Sequence, residues 1–596
     1  MVGLLILGWV VAGSSTVFGK GYTFSTFAGQ AGVNGTNDGT GSAARFYNPC
    51  GVAVDKWGNL RVADTFNDTL RYIMPSGTVT TYAGQPRGQG TNDGSAAKFD
   101  WPEGVAVGPD GYTYTADTDN HTVRKTGSPG LRPSTSTLAG QPGVGGTNNG
   151  TGNAAQFYLP TGVAVDIFTN VYVADEQNNV IRQITPAGMV TKFAGQMGVA
   201  GTNDGLLSPL SAKFNSPHGV AVDTNGTVYV TDSYNHTIRS ISKVYWGAVF
   251  LGYTVSTLAG QAGVAGTNDG IGTAAQFNYP GGIAVDSSGT LFVTDTMNNT
   301  IRKVMRVGTN WVVTTIGGKA GSAGSANGIG KAARFDRPAG IAVDSAGMIY
   351  VADEFNDTIR KGTPPSFYLQ DTNGIATMWC INSAGILQQY ASMGNLGGWK
   401  LKAVEDLSTD GRSDFFWQTP DGWVVASLST PSNTFTGVPM GNLGGWELRG
   451  AANIDSDGIP DLIWQNPGGA VVAWLMTSNC TQQGSAGVGN LGAWKFKGAG
   501  DINGDGKADL FFQSGMGDAV VWMSQAGGGY QGLGVGNLGA WELRTVADVD
   551  SDGVADLLWE NPDGWVVVWY LNANGALRNS GGLGNVGAAN KIMAVQ

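Results

Sequence analysis

Cysteine and histidine are the scarcest chemistry-bearing residues of this 596-residue chain, with three of each. Cys50, Cys380 and Cys480 stand 330 and 100 residues apart, which excludes a zinc knuckle and a dense disulfide framework. What stays open is a Cys380–Cys480 bridge or free buried thiols. Charge is scarce as well: 13% of residues are Asp, Glu, Lys or Arg, and the net charge is −11 with no basic run. Nucleic acid is excluded as a partner, because phosphates need clustered Lys and Arg. Long apolar runs are missing too. MVGLLILGWVVAG (residues 1–13) is too short to span a bilayer, and no other segment approaches that length. Small residues follow it, as in a secretory signal, although no Lys or Arg precedes Lys20. Residues 1–19 are read as a signal-peptide remnant, and the protein is expected to be secreted or held at the cell surface.

What the chain has in abundance is glycine, 95 residues, beside 41% hydrophobic residues. Short strands joined by glycine turns tolerate that composition, whereas helices do not. The length calls for at least two domains.

Self-comparison finds two repeats. In the first, Phe-x-x-Pro-x-Gly-(Val/Ile)-Ala-Val is followed by a turn, a short strand ending in Asp, and Asn-x-x-(Ile/Leu/Val)-Arg. It recurs six times, at Pro49, Pro102, Pro160, Pro217, Pro280 and Pro338. Each unit reads as four strands, with the GVAVD type of strand innermost. An outer-strand motif precedes the first unit and is missing after the sixth, so Thr23–Gln30 is expected to complete the last blade and remove the open edge. These units resemble NHL repeats, with Asn120-His121-Thr122 and Asn235-His236-Thr237 at the namesake position. The resemblance covers about residues 22–361. It implies a six-bladed propeller that binds proteins, nucleic acids or small ligands, with some lyases among its relatives.

After a linker at 362–365 the pattern changes. Gly-Asn-Leu-Gly-(Gly/Ala)-Trp recurs at Gly394, Gly441, Gly489 and Gly536, with a degenerate copy at Gly584 and a period of 47 or 48 residues. Ser366–Cys380 is a hairpin lacking its preceding strand, and Lys591–Val595 is the strand expected to supply it. These units resemble FG-GAP or VCBS repeats over 366–596, which implies five blades. The expected fold is therefore all-β: two tandem β-propellers, of six blades (20–361) and five blades (366–596).

The chemistry concentrates in four acidic loops of the second repeat. They place oxygen-bearing side chains at positions 1, 3, 5 and 9 and Gly at 6. The candidate ligands are Asp406, Ser408, Asp410 and Asp414; Asn453, Asp455, Asp457 and Asp461; Asp501, Asn503, Asp505 and Asp509; and Asp548, Asp550, Asp552 and Asp556. Calcium takes six to eight oxygens, and the glycine permits the bend. Packing carboxylates so densely is costly without a cation. Calcium is the expected cofactor, in a structural role. The bland alternative is Asp turns satisfied by their own amides.

In the first ring, three histidines, His121, His218 and His236, could in principle gather a zinc; they are read instead as loop residues, because His121 and His236 follow second strands, away from the axis. The Asp, Asn and Arg that recur in every blade are read as holding each blade together. Gly-Thr-Asn-Asp-Gly loops at Gly35, Gly90, Gly201 and Gly266 are read as turns, because no Lys-Ser/Thr follows them. The aromatic insertion Lys243–Tyr253 is either a contact site or an outer hairpin packed on its neighbour. Trp399, Trp446, Trp494 and Trp541 either wedge blades or stack sugars. Together these point to a non-enzymatic, monomeric binding or scaffold protein for a protein or cell-surface polysaccharide. The rivals are a lectin acting through the second ring and a lyase or lactonase on the first.

Overall fold

The computed structural model describes residues 15–18, 22–127, 133–247, 249–307 and 309–364. Between 366 and 585 it describes all but 371–374, 382–386, 396–398, 406, 408–413, 430–434, 478–480, 504, 506, 526–528, 548–554, 564 and 573. The chain divides into two compact units. One is Phe24–Pro364 with Asn382–Ala384; the other joins Met1–Thr23, Pro365–Ile381 and Gly385–Gln596. Among the described residues all regular structure is strand or short 3-10 turn.

The first unit is a six-bladed propeller. In blade one the strands Pro49–Val54, Leu60–Asp64, Thr69–Ile73 and Thr78–Gly84 lie in that order from the axis outwards, all antiparallel. Blades two to five repeat this order. In blade six, Thr358–Thr363 is followed in the sheet by Thr23–Gly29 from the start of the chain, so the expected closure is present. Thr358–Thr363 also runs two residues into the stretch read as a linker.

The glycine of Pro-x-Gly is fixed by the ring. A Cβ on Gly51, Gly104, Gly162, Gly219, Gly282 or Gly340 would run into a carbonyl oxygen of the next blade's inner strand, and Gly340 meets Cys50 to close the circle. Side-chain-free backbone is what lets six inner strands pack this tightly. Outside them the core fills with alternating Val, Ile, Ala and Phe shared between neighbouring blades, such as Val62, Ile73, Tyr350 and Ile359.

The second unit holds five four-stranded antiparallel sheets. The last four run Lys400–Glu405 to Phe435–Asn442, Glu447–Ala452 to Gln482–Asn490, Lys495–Gly500 to Tyr530–Asn537, and Glu542–Ala547 to Leu577–Asn585. The first contains the expected hairpin, Ser366–Gln370 with Ile375–Ile381. Its fourth strand is Ser15–Phe18, antiparallel to Ser366–Gln370, at the position assigned from sequence to Lys591–Val595. Residues 591–595, the apolar stretch 1–13 and Cys480 lie outside the described residues.

Candidate functional site

The recurrent acid, amide and base of the first propeller form one network per blade. In blade one, Asp64 accepts hydrogen bonds from the Tyr47 amide (2.8 Å), Asn67 Nδ2 (2.9 Å) and Arg71 Nη1 (2.7 Å). Arg71 Nη2 donates to the Asn37 carbonyl (2.9 Å) and to Asp38 (2.8 Å), and its guanidinium lies over the Phe46 ring. The same pairing joins Asp117 to Arg124, Asp175 to Arg182, Asp232 to Arg239, Asp295 to Arg302 and Asp353 to Arg360. All six aspartates and all six arginines are buried. The Gly-Thr-Asn-Asp-Gly loops acquire a role that sequence reasoning missed. Asp38, Asp93, Asp204 and Asp269 are the second anchors of these arginines, with Asn149 and Asn327 in blades three and six. The signal was a nearly repeated offset, 31–35 residues, between loop acid or amide and arginine.

The three histidines do not meet. His121 Nδ1 accepts the Leu159 amide (3.3 Å) and His236 Nδ1 the Tyr279 amide (3.2 Å), so each ties its loop to the following blade. His218 lies at one end of the axis, its Nε2 3.7 Å from Glu103. A cavity of about 70 Å3 there is lined by Cys50, Glu103, Thr161 and His218. Two departures from the repeat lie close enough for their charges to act on Glu103. After the buried Asp, Thr65, Thr118, Ser233 and Thr296 donate their hydroxyls to the next blade's proline carbonyl, whereas blades three and six carry Glu176 and Glu354. Burial, then the charges of Glu176 and Glu354, pushes the Glu103 carboxyl up to about 8; burial pushes Glu354 up to about 7.

On the same end of the blades, Trp101, Tyr158, Tyr234, Met297 and Phe355 are exposed. The Lys243–Tyr253 insertion divides in two. Tyr253 packs on Phe193 of the preceding blade, ring centroids 4.9 Å apart, while Tyr245, Trp246, Phe250 and Leu251 at the tip are exposed.

In the second propeller the acidic loops 453–461 and 501–509 are largely described; Asp406, Ser408, Asp410, Asp548, Asp550 and Asp552 lie outside the described residues. Asn453 accepts the Ser456 amide (2.9 Å), Asp455 the Asp457 amide (3.2 Å) and Asp457 the Ile459 amide (2.8 Å). Asn503 and Asp505 repeat this with the amides of Asp505 and Lys507. Position 9 differs. Asp461 is fully buried and accepts the amides of Ile454 and Met476, both at 2.9 Å; Asp509 does the same with Ile502 and Ser524. It fastens its loop to the outer hairpin. Burial pushes Asp461 up to about 6, with Asp455 and Asp457 adding to the shift. The all-oxygen donor set suits calcium. As the side chains stand, no three acidic, histidine or cysteine groups among the described residues converge as a metal cluster.

Trp446, Trp494 and Trp541 are half-buried against the hydrophobic cores between blades. Their carbonyls accept Nε2 of Gln418 (3.1 Å), Gln465 (2.8 Å) and Gln513 (2.8 Å), while each glutamine oxygen accepts an amide two residues further on, at Leu448, Phe496 and Leu543. These buried glutamines clamp each blade to the next, and sequence reasoning gave them no role. A cavity of about 630 Å3 opens beside the first clamp, with Lys400, Lys402, Asp421, Trp446, Glu447 and Arg449 around it.

Family models agree with both repeat readings. The NHL repeat matches residues 214–239 and 277–304, and the FG-GAP-like repeat matches 453–512 and 501–559. The chain carries NHL repeats and FG-GAP-like repeats. It is 31% identical over 292 residues to the protein Suppressor of quenching 1, chloroplastic, of Arabidopsis thaliana, covering 46% of this chain and 26% of that one. It is 27% identical over 348 residues to human NHL repeat-containing protein 2, covering 52% and 46%. The chain thus spans a quarter to a half of the length of these relatives. Among solved structures it is similar to an auxiliary nutrient binding protein from Bacteroides ovatus, at 17% identity and a TM-score of 0.44, over 58% of this chain and 77% of that one.

Proposed function

We propose that this NHL and FG-GAP-like propeller protein is a non-enzymatic binding or scaffold protein acting outside the cytoplasm, with glycan or protein as its partner. One observation carries the reading. The charged residues that recur in every NHL blade are taken up in buried bonds, and an opening of about 630 Å3 lies between two blades beside Trp446. That volume falls in the usual range for ligand pockets, and an indole edge beside charged side-chain ends suits a sugar ring. A protein partner would use the exposed aromatic end of the first propeller. Calcium in the four acidic loops has a structural part, offsetting the crowding of Asp455, Asp457 and Asp461. Among the described residues no helix is long and apolar enough to cross a membrane.

A glycan array probed with the full chain, with and without calcium, tests the reading, and Trp446→Ala is expected to abolish any sugar signal. A lyase or lactonase is the rival, favoured by the Glu103–His218 cavity; stoichiometric zinc in the purified chain, lost in His218→Ala, would support it instead.

A further inference from the structure

The inner strands of the second propeller alternate in charge from sheet to sheet. They read Lys400-Leu-Lys402, Glu447-Leu-Arg449, Lys495-Phe-Lys497 and Glu542-Leu-Arg544. Each glutamate bridges two cations. Glu447 lies 2.6 Å from Lys402 Nζ and 3.0 Å from Arg449 Nη2. Glu542 lies 2.7 Å from Lys497 Nζ and 2.8 Å from Arg544 Nη1. Arg544 also reaches Glu560, at 2.9 Å. Lys400 and Lys495 are exposed, and among the described residues neither lies within ion-pair distance of a carboxylate, although Lys400 is close enough to Glu447 to act on it. Around the larger cavity three cations, Lys400, Lys402 and Arg449, face two carboxylates, Asp421 and Glu447, so one positive charge is left over. The chain as a whole carries −11. An acidic protein has therefore gathered positive charge on one set of strands, and did so twice.

We propose that this groove binds a carboxylated sugar, the repeating unit of a polyuronate, with the carboxylate held by Lys400 and Arg449 and a C–H face of the ring on Trp446. It rests on the glycan reading above and names the sugar class. The size decides between anions. A bare phosphate or sulfate needs neither a cavity of 630 Å3 nor an indole. A uronate needs a cation for its carboxylate, amide and carboxylate groups such as Asn466 and Asp421 for its hydroxyls, and an apolar face. Burial, with Arg449 and Lys400 acting the same way, lowers the Lys402 ammonium from its ordinary value, so an added anion would be welcome there. Lys497 is lowered in the same manner by burial, Arg544 and Lys495. Two copies of the motif suit a polymer whose charges repeat, because a second contact on one chain raises avidity without new chemistry.

The test is calorimetric titration of the full chain with trigalacturonate, with neutral maltotriose and with inorganic phosphate. The expected result is trigalacturonate binding that weakens with added salt and falls at least about tenfold in Lys400→Met/Lys495→Met. Those lysines are exposed and make no direct ion pair among the described residues, so the variant keeps its melting temperature; Arg449→Gln gives an independent second loss. Equal binding of maltotriose overturns carboxylate recognition and leaves the glycan reading standing. Phosphate binding as tight as trigalacturonate reduces the site to an anion hole and overturns the sugar class. Trigalacturonate binding unchanged in both variants overturns the location. Failure of both sugars overturns the inference and the glycan reading together.

Discussion

Replacing Arg239 by methionine isolates what the buried network of a blade contributes. Methionine keeps the length and apolar stem of the side chain and removes the guanidinium. Four hydrogen bonds go with it: to the Lys213 carbonyl (3.2 Å), Asp232 (2.7 Å), the Asn203 carbonyl (3.0 Å) and Asp204 (2.7 Å). Asp232 keeps Asn235 Nδ2 and the Asn215 amide but loses its counter-charge, and it has no exposure to water. Stranding a buried charge in this way costs about 3–5 kcal/mol. The first unit spans Phe24–Pro364, roughly 340 residues, and unfolding entropy of about 2.1 cal/mol/K per residue gives about 0.7 kcal/mol/K. A cost of about 4 kcal/mol is therefore a fall of about 6 °C in that propeller's melting temperature. Scanning calorimetry of the full chain reads it, with the transition identified by Arg239→Met itself and by its indifference to calcium. Asp232→Asn/Arg239→Met leaves no stranded charge and should recover part of the loss although it removes more native groups. A fall under about 1 °C, or a double variant whose cost is the plain sum of the singles, would show that the network does not hold the blade.

Three further outcomes follow from the same geometry. Glu103 has a folded value of about 8 against an ordinary 4.5, so the folded state binds its proton more tightly than the unfolded chain. The stability this adds is complete below the ordinary value and is lost as pH rises through about 8; the first propeller should melt lower at about pH 9 than at about pH 6, and Glu103→Gln should flatten that dependence. Asp509→Ala orphans the buried amides of Ile502 and Ser524, each costing about 1–3 kcal/mol, and should lower the second transition well beyond any change in Asn503→Ala. Calcium at ten times its dissociation constant should raise the second propeller's stability by about 1.4 kcal/mol per bound site, and a chelator should reverse this while leaving the first transition in place.

Repeat spacing and the placement of glycine and proline were legible in the amino-acid order, because blade strands are local and their turns demand particular residues. The completion of blade six by Thr23–Gly29 was legible too, since one motif was in surplus at one end of the repeats and absent at the other. Ser15–Phe18 beside Ser366–Gln370 was not, because a short β-prone segment carries no mark of its partner. The candidate ligand sets divide the same way. The sequence places oxygen donors at positions 1, 3, 5 and 9 of each acidic loop, but not that position 9 is turned into the blade, as with Asp461 and Asp509.

Local order by itself therefore determined two repeat systems, their blade numbers and the residues each blade must share. Tertiary structure alone decided what those residues face. The glutamine clamps, the arginine anchors on the Asn-Asp loops and the alternating cations of the second propeller are contacts across about 30 to 45 residues. Side chains on successive blades become neighbours only when strands close side by side around an axis, and no local pattern encodes which end of that axis a charge will reach.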